Sequence, residues 1–215
     1  MEIKGFIETS FVDWPGKICA VLFLPSCNLR CPFCHNHELI LQPEQFLSFP
    51  WDYVQKRLSA LRGWLDGVCI TGGEPTLHHD LPELLDQVHC LGLSVKLDTN
   101  GTRPDMLKFL ISQKLIDYLA MDIKGPLDQE LYRQCTGVQI SMAEIKKSMD
   151  FIFSGQVLGE FRTTVVPEWH TPVVLAQMGL ELKQAPKWTQ QEFNPAQALD
   201  PLLRSLNKPP SSAIH

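Results

Sequence analysis

Short runs with strand character alternate with helical periodicity along this chain, and that leaves it few architectures. Residues 18–24, 67–70, 93–97, 118–123 and 160–166 are brief, largely apolar, and closed by Gly, Pro, Asp or Lys. Each reads as a strand, and 188–193 reads as a last one. Between them, 51–64, 81–91, 104–114, 128–135, 142–153 and 171–182 carry helical signals. Val54, Leu58, Leu61 and Leu65 share one face of the first. Pro82 suits the first turn of the second, and Thr171 reads as an N-cap with Pro172 at the first helical position. Strands alternating with helices imply right-handed crossovers and an α/β fold with a mostly parallel sheet. Six strands are too few for a closed eight-stranded barrel. With 215 residues the expectation is one domain over 1–200 and a C-terminal tail over 201–215, frayed from 207 onward.

The polar motifs fall where these strands end, the face at which parallel α/β architectures place their sites. Gly72-Gly73-Glu74-Pro75, Asp98-Thr99-Asn100-Gly101 and the pair Asp122 and Lys124 each close a strand. Cys27, Cys31 and Cys34 follow the first one, three thiols inside eight residues at spacings of four and three. Three cysteinates are one too few for a closed structural zinc site, and one too few for a fully ligated [4Fe–4S] cube. On a cube they leave one iron open to a ligand. Zinc with His35 or His37 as fourth ligand is the alternative, and three clustered cysteines cannot all pair as disulfides. Seven cysteines, three of them in one motif, suit a metal site in a reducing compartment. Cys19 and Cys69 read as small core residues. Cys90 and Cys135 show no partner pattern.

Composition narrows the partners. Apolar content of 44% and charged content of 20% are ordinary for a globular chain, and a net charge of −5 argues against nucleic-acid binding. No apolar run approaches a membrane span, and the N-terminus lacks the layout of a signal peptide. The expected location is cytoplasmic.

Cys27-x-x-x-Cys31-x-Phe33-Cys34 resembles the CxxxCxxC signature of radical S-adenosylmethionine (SAM) enzymes, with an aromatic residue before the last cysteine. Cys34-His35-Asn36 and the opening 5–17, with its Asp13-Trp14-Pro15-Gly16, resemble the glycyl-radical-enzyme activases, most of all the small anaerobic ribonucleoside-triphosphate reductase activating proteins. The likeness runs over about residues 3–195. It implies a partial (β/α)6 barrel open on one side, with Cys27, Cys31 and Cys34 on three irons of a [4Fe–4S] cluster. SAM would chelate the fourth iron through its amino and carboxylate groups. An electron from a flavodoxin- or ferredoxin-type donor would release methionine and a 5′-deoxyadenosyl radical. That radical would take an α-hydrogen from a glycine of a partner, with anaerobic ribonucleotide reductase the expected one.

By the same resemblance Gly72, Gly73 and Glu74 hold the SAM amino group, and Asp98 and Asn100 lie on its ribose side. Lys124 faces the SAM carboxylate, Asp122 faces SAM or the partner's glycyl loop, and Phe33, Arg162 and His170 complete the cofactor contacts. Ser26 stands where a Gly often precedes the first cysteine, and the cysteine-rich insert of larger activases has no counterpart. Two other radical SAM activities fit the motif: action on a small molecule, as in 7-carboxy-7-deazaguanine synthases, or modification of a peptide. A zinc-stapled interaction module is the alternative outside enzymes.

Overall fold

The computed structural model describes residues 1–205, so the frayed segment expected over 207–215 lies outside the described residues. Seven strands form one sheet in chain order: β1 (Gly5–Ser10), β2 (Cys19–Leu24), β3 (Gly67–Gly72), β4 (Ser94–Thr99), β5 (Tyr118–Asp122), β6 (Gly159–Val165) and β7 (Trp188–Glu192). β2 to β7 run parallel, and these are the six strands of the partial barrel. β1 is a seventh, antiparallel to β2. It escapes a search for apolar runs because Ile7 is 44% exposed and most of the strand is only half buried. The sheet ends at β1 and β7 without pairing the two, so the barrel stays open on one side.

The helices are α1 (His37–Leu41), α2 (Trp51–Ala60), α3 (Leu81–Cys90), α4 (Pro104–Ser112), α5 (Gln129–Thr136), α6 (Met142–Phe153), α7 (Pro172–Glu181) and α8 (Pro201–Ser205). Thr171 caps α7, its Oγ1 accepting from the Val174 N–H at 3.4 Å. α2 stops at Ala60, short of residue 64, and Gly63 at φ +94° belongs to the turn that leads into β3. α1 and α8 are one-turn elements, too short to show a helical period. No helix among the described residues is long and apolar enough to cross a membrane.

Alternation along the strands sorts the core. Leu22, Leu24, Ile70, Val95, Leu97, Leu119, Met121 and Phe161 share one cluster with Val54, Leu58, Leu81, Leu85, Leu107 and Ile145 of the helices. The opposite face of the sheet is the inside of the half-barrel. Its floor is apolar: Cys19, Val21 and Cys69 pack with Trp14, which is 3% exposed and lies 6.0 Å from the Tyr118 ring. Above that floor the inward positions turn charged, with Lys96 and Asp98 on β4, Asp122 on β5 and Arg162 on β6. This is why the ligand face lies at the strand C-terminal ends rather than in a central pore.

The segment after β7 folds back on the cysteine loop. Phe193, Ala198 and Leu203 are buried with Leu29, Cys31, Phe33 and Val166, and the Asp200 N–H donates to the Pro32 carbonyl at 2.8 Å.

Candidate active site

Two loops are joined at their roots. β2 and β3 pair with Leu24 beside Gly72, so the cysteine loop and the Gly72-Gly73-Glu74 turn leave the sheet at one level. The Gly73 N–H donates to the Leu24 carbonyl and the Glu74 N–H to the Ser26 carbonyl, each at 2.8 Å. Gly72 adopts φ +111°, and a Cβ at Gly73 would stand 1.8 Å from the Ser26 carbonyl oxygen. Only glycine permits that approach. At the far end of the cysteine loop, Asn36 Nδ2 donates to the Gly72 carbonyl at 2.8 Å.

Ser26 itself stands at φ +68°, the left-handed conformation that the more usual glycine takes without strain. The departure from glycine therefore preserves the loop and adds strain. Ser26→Gly relieves about 1 kcal/mol of that strain, offset in part by the entropy of a freer unfolded chain, for a net stabilisation of about 0.5 kcal/mol. A raised urea midpoint at unchanged slope is the expected result.

Glu74 is 1% exposed. Its Oε1 accepts from the Thr76 N–H at 3.1 Å, from the Thr76 hydroxyl, and from Thr99 Oγ1 at 2.7 Å; its Oε2 accepts from the Asn100 N–H at 2.6 Å. Burial pushes its carboxyl upward, against the pull of these four donors. The side chain expected on a ligand amino group lines the cleft and also clamps the β3 loop to the β4 loop. Asn100 spends its side chain likewise: Nδ2 donates to Asn28 Oδ1 at 3.0 Å, and Oδ1 accepts from Thr102. These bonds tie the β4 loop to the cysteine loop.

The charged side chains form a single chain of alternating sign. Lys96 Nζ pairs with Asp98 Oδ1, and Asp98 Oδ2 accepts from Arg162 Nη1 at 3.0 Å. Arg162 also gives Nε and Nη2 to Asp122 Oδ1 at 3.0 Å each, and Asp122 Oδ2 accepts from Lys124 Nζ at 2.8 Å. Burial opposes the charges of Lys96, Asp122, Lys124 and Arg162, but the partners win. Arg162 and Lys124 hold the Asp122 carboxyl down at about 2, and Asp122 holds Lys124 and Arg162 above their ordinary values. Lys124 Nζ also sits 5.9 Å from the centre of the Phe33 ring, within range of a cation–π contact.

These groups open onto one cleft of about 240 Å³. Cys27, Cys31, Cys34, Phe33, Gly72, Gly73, Glu74, Asp98, Asn100, Asp122, Lys124 and Arg162 line it, so one mouth gathers all the expected site residues but His170. His170 is 3% exposed and spends both ring nitrogens on backbone, accepting from the Val166 N–H at 2.9 Å and donating to the Lys124 carbonyl at 3.1 Å. It braces the β6 loop against the β5 loop from outside the cleft. Three other loop histidines are engaged too. His37 Nδ1 donates to the Cys34 carbonyl at 3.0 Å, His78 Nε2 to the Pro25 carbonyl at 2.8 Å, and His35 stacks on Phe193 at 6.1 Å.

Thr164 and Gln191, from β6 and β7, also line the cleft and were not expected from the sequence. Lys96 was missed because it lies within a run that otherwise reads as an apolar strand. The available signal was its spacing: Lys96 and Asp98 are two apart on a strand and so share a face.

All three thiols are pushed upward by burial, Cys31 to about 12, with Lys124 pulling the other way. Iron bound here would displace the thiol protons that burial favours. Three soft sulfur donors on one loop suit an iron–sulfur cluster with an open iron, and the nearby His35 is stacked on Phe193. Beside them are exposed backbone at Gly72-Gly73 and a lysine for an amino-acid ligand.

Comparisons with known proteins agree. Over 217 aligned residues the chain is 32% identical to a Methanocaldococcus jannaschii protein provisionally named a glycyl-radical enzyme activating enzyme, covering 99% of this chain and 88% of that one. It is 42% identical over 134 residues to the 7-carboxy-7-deazaguanine synthase of Aquifex aeolicus, covering 52% of this chain and 57% of that one. Among solved structures, anSMEcpe with bound AdoMet superposes with a TM-score of 0.60 at 19% identity, covering 79% of this chain and 50% of that one, and so shares the fold. Residues 21–168 match the Radical SAM superfamily. The chain belongs to that superfamily, the enzymes that work with a [4Fe–4S] cluster and SAM.

Proposed function

We propose that this enzyme is an activase that places a glycyl radical on a partner protein, with anaerobic ribonucleotide reductase the first candidate. The observation that carries this reading is likeness to the M. jannaschii protein across nearly the full length of both chains. The match to 7-carboxy-7-deazaguanine synthase is higher in identity but spans only about half of this chain. A cleft at the rim of an open barrel also suits a substrate that is a peptide loop.

In this reading Cys27, Cys31 and Cys34 hold the cluster, and Phe33 packs beside it. The backbone of Gly72 and Gly73 receives the SAM amino group, while Glu74 acts by clamping that turn to Thr99 and Asn100. Lys124 faces the SAM carboxylate, with Arg162 and Asp122 holding it in place. Asp98 has both oxygens engaged by Lys96 and Arg162, so its role is to fix Arg162 rather than to accept from a ribose. His170 and the segment after β7 keep the loops closed around the site. When bound, the cluster and SAM supply one-electron cleavage of a carbon–sulfur bond and a radical that abstracts hydrogen. The chain positions these groups and excludes water. Residues 1–200 act as a single unit, and the chemistry calls for a reducing, oxygen-poor cytoplasm and a flavodoxin- or ferredoxin-type donor.

The test is anaerobic incubation of the reconstituted enzyme with SAM, a strong reductant and the anaerobic ribonucleotide reductase of the same organism. A glycyl-radical signal in the electron paramagnetic resonance spectrum is expected. SAM cleavage that yields no protein radical with that reductase would reject it as the partner. Formation of 7-carboxy-7-deazaguanine from a small-molecule precursor instead would favour a small-molecule enzyme.

A further inference from the structure

One buried charge in the half-barrel has no place in the cleft wall. Lys96 is 1% exposed, sits level with Cys69 on the neighbouring strand, and has its Nζ 3.6 Å from the Cys69 sulfur. It stands between the apolar floor and the cleft. An ammonium in such a place is costly unless paired, and an apolar side chain would serve the floor as well. What Lys96 contributes is charge, and its ionic partner is Asp98.

We propose that Lys96 is a positioning residue that sets the affinity of the cleft for an anionic ligand group without touching it. The argument is one of partners. Asp98 has one oxygen on Lys96 and one on Arg162, and Asp122 has one on Arg162 and one on Lys124. The chain of pairs therefore begins and ends on a cation, with Lys96 at the buried end and Lys124 at the cleft. Because Lys96 satisfies half of Asp98, Arg162 can serve Asp98 and Asp122 together, and Lys124 keeps donors to spare for a ligand. Without Lys96, two carboxylates share two cations, and a ligand carboxylate must compete with Asp98 for them. The positive field at the cleft weakens at the same time.

The inference rests on the proposed placement of the SAM carboxylate beside Lys124. Its test is equilibrium binding to the anaerobically reconstituted protein, without reductant. The probes are SAM and 5′-methylthioadenosine, which keeps the nucleoside but lacks the amino-acid carboxylate. For Lys96→Met the expected result is about a tenfold loss of SAM affinity, with 5′-methylthioadenosine affinity held within about twofold. Equal loss for both probes would mark Lys96 as merely structural, and no loss for SAM would remove its role; either overturns the proposal.

Should Lys96→Met fail to fold, Lys96→Gln, which keeps a polar partner for Asp98 but removes the charge, carries the test with the same selective loss expected for SAM; equal loss for both probes, or no loss for SAM, overturns the proposal there too. Lys124→Met, measured alongside, reads the placement itself. Unchanged SAM affinity there would withdraw the placement, whereas loss with Lys124→Met and none with Lys96→Met withdraws only the inference.

Discussion

Replacing Cys31 with alanine should lower reductive SAM cleavage by about 1,000-fold, equivalent to about 4 kcal/mol of barrier. Cys31 is the most buried of the three cysteines, at 7% exposed, and packs against Leu29 and Phe33 beneath Leu203. A cluster left with two protein sulfurs has lost the ligand nearest the core, and its iron then exchanges with solvent and chelators. The fold itself should change little, because a thiol-to-methyl change in an apolar setting costs about 1 kcal/mol. Iron content, the broad visible absorbance of the cluster and 5′-deoxyadenosine yield should fall together while the circular dichroism spectrum holds. Full iron loading with normal cleavage in Cys31→Ala would remove Cys31 from the ligand set.

Gly73→Ala should be nearly as damaging by a purely steric route. The added methyl would meet the Ser26 carbonyl oxygen at 1.8 Å and the Ser26 carbonyl carbon at 2.6 Å. Both are backbone atoms, so no rotamer change relieves the clash. The Glu74 N–H bond to that same carbonyl, and with it the root of the cysteine loop, must shift. Overpacking of this kind costs about 3 kcal/mol. Thermal unfolding should come earlier, and iron incorporation should fail even though every ligand residue is present. That outcome separates loop geometry from ligand identity, since Cys31→Ala keeps the geometry and loses a ligand.

How much of this was legible in the sequence depended on whether the chemistry fixes spacing. Ligation of a cluster by one loop dictates where thiols fall along the chain, so Cys27, Cys31 and Cys34 stood out at once. Strand ends dictate where glycine and carboxylate fall, so the motifs at Gly72, Asp98 and Asp122 could be assigned to one face before any coordinates. Partnership across strands leaves no such trace. Asp122 and Arg162 are direct neighbours on β5 and β6, yet forty residues separate them in the chain.

Glu74 reads as a ligand contact, and nothing local reveals that Thr99 and Asn100 also bond its oxygens. His170 reads as a SAM contact from its position after a strand. Its backbone bonds to Val166 and Lys124 depend on how two loops pack. The edge strand β1 was invisible for another reason: a half-exposed strand needs no apolar run. The strap after β7 was hidden similarly, since Phe193, Ala198 and Leu203 lie at spacings of five that fit neither a strand nor a helix period, and only folding gathers them beside Cys31.

The most direct test of the proposed activity is isotope transfer from the partner. Anaerobic ribonucleotide reductase carrying α-deuterated glycine would be incubated with the reconstituted enzyme, SAM and reductant, and the 5′-deoxyadenosine analysed by mass spectrometry. Deuterium in that product, appearing as the glycyl radical grows in, is the result expected of an activase. Product free of deuterium, from protein with full iron loading and no radical on the partner, would contradict it.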